Sequence, residues 1–184
     1  MYSGHLAVAL AATRARPRVP LWLLLIASQA PDWLELLLKA AGRDNVNEVW
    51  SHSIPVVAVG AILFATYYLI TERNWSGALV LVGVALSHSA LDLVTGAKAL
   101  WPGQGAVGAC LYDRPIVDLV IEVALSVAGW AIYRTTLGRR RSSAAAWAVL
   151  ITLVGSQTLL DAAQQVRLMR APEIRQHCID AARN

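Results

Sequence analysis

GALVLVGVALSHSALDLVTG, residues 77–96, places His88 and Asp92 four residues apart inside an otherwise apolar run. Residues four apart on a helix lie on one face, one turn above the other. A run of this length and hydropathy reads as a membrane-spanning helix, which needs about 20 residues. An imidazole and a carboxylate in the middle of such a span cost several kcal/mol if they face lipid. They must therefore have polar partners on other segments.

The whole chain supports the membrane reading. Of its 184 residues 57% are apolar and only 15% charged, with seven Trp and a mean hydropathy of +0.49. Soluble domains run at about 45–50% and about 25%. The net charge of +4 sits in short basic clusters between apolar runs, as topology signals do, so no nucleic-acid partner is expected. Cys110 and Cys178 make neither a zinc pair nor a disulfide framework, and one bridge between them requires both to face an oxidising compartment. The stretch 1–12 lacks a basic n-region, so no cleavable signal peptide is expected.

Four further segments follow the same logic. Residues 54–71, 115–133 and 144–160 are apolar spans, and 20–39 is another, interrupted at Pro31-Asp32, where the proline should kink or end the helix. Residues 3–13 are helical in composition but half the length of a span. Residues 42–50 and the glycine-rich 98–114 read as loops, and beyond Asp161 the chain continues as a surface helix before a tail. The expected fold is an all-α, polytopic membrane helical bundle of about five spans plus a short N-terminal helix. It forms one membrane-embedded domain, 1–170, followed by a polar tail, 171–184.

If the spans alternate, Arg14, Arg16, Arg18, Arg73 and Arg139–Arg141 share one side, which the positive-inside rule makes cytoplasmic. His5, Asp32, His52, His88, Asp92, Asp118, Glu122 and Asp161 then lie toward the opposite face. Histidines and carboxylates are the ligands of catalytic divalent metals, and a bundle builds such sites from i, i+4 pairs on facing helices. His88/Asp92 and Asp118/Glu122 are two such pairs. Plainer readings stand beside this one. His88 and Asp92 can be a structural hydrogen-bonded pair, Asp118 and Glu122 can be acids favoured by a helix N-terminus, and Asp161 at a span end reads as interfacial. His177 reads as solvent-exposed, and the tryptophans near span ends as an interface belt.

Gly4-His5, Pro31-Asp32, Ser51-His52-Ser53, His88-Ser89-Ala90-Leu91-Asp92-Leu93-Val94-Thr95 and Trp101-Pro102 occur in this order. The order and spacing resemble the YdjM-like, LexA-regulated group of inner-membrane-associated metal-dependent hydrolases, over roughly residues 4–133. That resemblance implies a bacterial inner-membrane protein whose ligands are His5, Asp32, His52, His88 and Asp92. Members often carry Pro-Asp-x-Asp, where this chain has Leu34 followed by Glu35. They also often carry His-Arg before the Thr-His-Ser, where it has Asn47-Glu48.

The resulting expectation is a divalent metal, zinc favoured by the histidines and manganese or magnesium by the acids. It would be held by His5, Asp32, His88 and Asp92, with His52 as ligand or general base and Glu48 as a substitute carboxylate. Asp118 and Glu122 would complete the shell, hold a second metal or orient the ligand histidines. The metal would activate water against a phosphoester or acyl ester, with a lipid as the substrate the location suggests. Two other classes fit the same residues: an ion- or proton-coupled transporter, and a structural membrane protein whose polar groups join helices.

Overall fold

The computed structural model describes residues 2–43, 48–137 and 144–170. Helix α1 (Ser3–Ala15) is followed by α2 (Leu21–Ala40), a single turn α3 (Val49–His52), α4 (Ile54–Glu72) and α5 (Trp75–Thr95). A two-residue antiparallel pair, β1 (Lys98–Ala99) with β2 (Ala106–Val107), and a 3-10 turn at Leu111–Asp113 precede α6 (Pro115–Arg134) and α7 (Ala144–Arg170). Five helical stretches, 21–40, 49–72, 75–95, 115–134 and 144–170, are long and apolar enough to cross a membrane. The protein is therefore an all-α bundle with almost no sheet, as its hydropathy pattern indicates.

Local chemistry sets the element ends. Asn74 caps α5 by accepting from the Gly77 amide at 3.0 Å, and Arg73 closes α4 in the left-handed region. Pro115 opens α6, where a missing amide proton costs nothing. Two expectations change. α2 runs through Pro31 without ending there, and α7 is one continuous helix to Arg170, carrying the polar stretch after Asp161 on the same axis as the span. Asp161, at the level where the apolar span gives way to the polar stretch, is buried against its neighbours. The loop 98–114 contains the β1–β2 pair and the 3-10 turn, so it is folded back on the bundle. Cys110 is disulfide-bonded. Asn47, Arg139–Arg141, His177 and Cys178 lie outside the described residues.

The half-length helix occupies the centre. α1 packs most extensively on α6 and also touches α2, α5 and α7. It can approach α6 this closely because Gly129 has no side chain: a Cβ there would meet the backbone of Ala7, 2.8 Å from its Cα. A helix too short to span is thus stable because the spans surround it and bury Ser3, Gly4, His5, Ala7, Ala9, Leu10 and Thr13. α4 lies at the edge, with Val59, Ile62, Leu63 and Ile70 exposed in the bundle and so available to lipid.

Candidate metal centre

On α5 the buried stripe runs Leu81, Val84, Ala85, His88, Asp92 and Thr95, at the i, i+3, i+4 spacing of one helical face. Its first turns join an apolar core with Ala9, Leu24 and Ala27. Its last turns carry the polar residues. α2 brings Asp32 to the same level and α3 brings His52. Each of Asp32, His52, His88 and Asp92 offers one ligand atom, and these four atoms all lie within 4.8 Å of one another.

Four of the six separations, those between a histidine and a carboxylate, are narrower than that limit. His52 Nε2 stands 3.2 Å from Asp32 Oδ1 and 3.3 Å from Asp92 Oδ2, while His88 Nε2 stands 3.3 Å from Asp92 Oδ2 and 3.7 Å from Asp32 Oδ1. Four ligands at metal bonds of about 2.0–2.1 Å in a tetrahedron have neighbours about 3.3–3.4 Å apart. The set therefore fits one divalent ion in both chemistry and spacing.

The protonation of His88 follows from its other nitrogen. Nδ1 lies 2.7 Å from the Ser28 carbonyl oxygen, which can only accept, so Nδ1 carries the proton. Nε2 is then the atom left for the site. It is buried with no hydrogen bond and points at the two carboxylates. Ring nitrogens and carboxylate oxygens meeting at these distances need positive charge between them, a proton or a cation.

His5 stacks on His88 with ring centroids 3.8 Å apart and has its Nε2 3.1 Å from Asp92 Oδ1. It is not in the four-atom group, but it touches two of its members. Burial lowers its imidazole to about 4, against the raising effect of the Asp92 bond, so the neutral ring donates from Nε2 and orients Asp92. Glu48 sits at the mouth, ion-paired to Lys98, 3.7 Å from Lys39 Nζ and 3.6 Å from His52 Nδ1. Burial alone would lower the Lys98 ammonium; Glu48 beside it, with Asp92 and Asp32 farther off, outweighs this and holds it above the ordinary lysine value. The site opens at Asp32, whose side chain is 35% exposed while the other three are at most 3%.

Asp118 and Glu122 fall outside the four-atom group, in a neighbouring cluster around the start of α1. Glu122 accepts from the Gly4 amide at 2.7 Å, the Ser3 hydroxyl at 2.8 Å and the Tyr2 amide at 3.1 Å. Gln157 of α7 accepts from the Ser3 amide at 3.2 Å and donates to Asp161 at 3.0 Å. Asp118 is buried one turn before Glu122, against Asp161. Three amides at the start of α1, which have no partner within the helix, are thus satisfied by side chains of α6 and α7. Sequence reasoning gave no site role to Ser28, Ser51 or Glu35. Ser28 could not be found from sequence, because it acts through its backbone oxygen.

Comparison with curated proteins and with solved structures gives no match. The family model of the YdjM inner membrane proteins matches residues 1–165, which include every helix but the last turn and a half of α7, and all of the polar cluster. The chain belongs to the YdjM family of inner membrane proteins.

Proposed function

We propose that this protein is a membrane-bound metal-dependent hydrolase, with Asp32, His52, His88 and Asp92 as the metal-holding residues. The observation that carries the reading is the set of four ligand atoms from three helices, neighbours 3.2–3.7 Å apart, with His88 Nε2 buried and making no hydrogen bond. A divalent ion bound there supplies a water of lowered pKa and polarises a phosphoryl or acyl oxygen. The mixed nitrogen and oxygen set favours zinc, with manganese or magnesium next.

The chain's own residues supply the rest. With its Nε2 in the ligand set, His52 acts as a holder and not as the base. His5 keeps Asp92 turned toward the centre. Glu48, held at the mouth by Lys98 and Lys39, is the carboxylate placed to take the proton of the attacking water. Asp32, on the open side, leaves room for substrate. The substrate class is a phosphoester or acyl ester, and the site's position at one end of five spans favours a lipid that delivers its ester from the membrane face.

Metal analysis of detergent-purified protein tests the reading. One divalent ion per chain is expected, lost in His88→Ala and Asp92→Ala, together with hydrolysis of a chromogenic phosphoester or acyl ester that Glu48→Gln abolishes without removing metal. Folded wild-type protein that takes up no metal overturns it. So does ion flux in liposomes, abolished by Asp92→Asn, from protein without bound metal, the result expected of a transporter.

A further inference from the structure

Glu35 lies on α2 one turn after Asp32, on the same helical face, and is buried. Its Oε2 is 2.7 Å from the hydroxyl of Ser51, which is fully buried on α3. The same hydroxyl oxygen is 2.7 Å from Nδ1 of His52, the next residue. We propose that Glu35, acting through Ser51, is a positioning residue that holds a proton on His52 Nδ1 and turns Nε2 toward Asp32 and Asp92.

The argument is a count of protons. Glu35 Oε1 is 3.1 Å from the Lys39 ammonium, so Glu35 is a carboxylate and can only accept. Ser51 has one hydroxyl proton, and it goes to Glu35. The longer contact of Ser51 Oγ, 3.1 Å to the Glu48 carbonyl, is also to an atom that only accepts and changes nothing. With its proton committed, the Ser51 oxygen meets His52 Nδ1 as an acceptor, so Nδ1 donates. Nε2 is left facing the Asp32 carboxylate, 3.2 Å away in a hydrogen bond, which takes a second ring proton in the metal-free site or a lone pair turned toward a bound cation. His52 thereby has Nδ1 fixed as a donor, as His88 does, through a side-chain relay in place of the Ser28 carbonyl. α2 supplies both Asp32 to the cluster and Glu35 behind it, from residues three apart.

The purpose of this relay rests on the metal-site reading; the proton on Nδ1 does not. Orienting partners of this kind typically change metal affinity by about 10–100-fold. Two measurements on the full chain in detergent test the proposal. The first is the histidine 15N spectrum of metal-free wild type at neutral pH, with His52 assigned from His52→Gln. His52 is expected to carry a proton on Nδ1, which Ser51→Ala depletes in favour of the Nε2–H form. The second is zinc affinity by competition with a chromogenic chelator. Ser51→Ala and Glu35→Gln are expected to bind about 10–100-fold more weakly, while Ser51→Thr, which keeps the hydroxyl, stays near wild type.

A merely structural serine would lower stability while leaving both the tautomer and the zinc affinity in place. An Nε2–H tautomer in wild type, or wild-type zinc affinity in both Ser51→Ala and Glu35→Gln, overturns the proposal. Wild type that binds no zinc but carries the proton on His52 Nδ1, lost in Ser51→Ala, sinks the metal reading and leaves the relay standing.

Discussion

Glu122→Ala separates a ligand from an anchor. The carboxylate of Glu122 receives the Gly4 amide and Ser3 hydroxyl in fully buried bonds and the Tyr2 amide in a part-buried one. A hydrogen bond to a charged acceptor contributes about 1.5–3 kcal/mol. Water can replace the acceptor at the part-buried Tyr2, so two bonds count in full, and their loss amounts to about 3–6 kcal/mol. Part of this is offset because the variant no longer buries a charge. Glu122→Gln keeps one acceptor oxygen and should lose less than Glu122→Ala. The assay is unfolding in detergent, followed by tryptophan fluorescence, beside a zinc titration of the same samples. Both variants should be destabilised in that order. Zinc stoichiometry should survive, because none of the four ligand residues is on α1 or α6. Affinity should fall by no more than about tenfold through His5, which α1 carries. If either variant is as stable as wild type but has lost its zinc, Glu122 is a ligand and the anchoring argument is wrong.

Three further outcomes follow from the same geometry. Gly129→Ala places a methyl group against the Ala7 backbone and should cost about 1–3 kcal/mol by overpacking; an unchanged unfolding midpoint would mean that α1 and α6 are not in close contact. His5→Gln should lower zinc affinity about 10–100-fold yet leave one ion per chain, unlike Asp92→Ala; loss of stoichiometry would make His5 a ligand. Lys98 has a raised pKa in the folded protein, so its ion pair contributes stability that is present below 10.5, the ordinary lysine value, and is lost as pH rises through the folded value. An NMR titration of the 13C-methylated protein should show Lys98 titrating above the ordinary lysine value, and Glu48→Gln should bring it down.

The spans were legible because each is a run of apolar residues long enough to cross a bilayer, and that signal does not depend on what packs where. The gathering of His5, Asp32, His52, His88 and Asp92 was legible for a related reason: once the spans alternate, polar residues near successive span ends fall at one membrane level. What the sequence left open was which residues at that level share a point. Asp118/Glu122 has the same i, i+4 spacing as His88/Asp92, and only the position of α1 distinguishes them. α1 lies between α6 and the helices α2 and α5 that carry the cluster, so its unsatisfied amides meet Glu122 first. The depth of α1 was itself hidden, because a short Ala-rich helix has no hydropathy signal of its own. Its burial depends on one missing side chain, at Gly129, more than a hundred residues away.

Pro31 shows how a locally unfavourable residue fits the site it adjoins. A proline inside a helix lacks the amide proton owed to the carbonyl four residues back and crowds that turn, which disturbs its ladder of hydrogen bonds. In a soluble helix this commonly ends or kinks the element, and the same was expected of α2. Inside a bundle the loosened turn can instead be satisfied by neighbouring helices, and α2 continues to Ala40. In that turn the Ser28 carbonyl accepts from His88 Nδ1 at 2.7 Å. One residue beyond the proline is Asp32, at the mouth of the cluster, and three beyond that is Glu35, behind His52. The carbonyl that Pro31 leaves without a helical donor is that of Ala27, and its neighbour in the same turn, Ser28, offers His88 a backbone acceptor. The next turn presents one carboxylate to the centre and another to the relay.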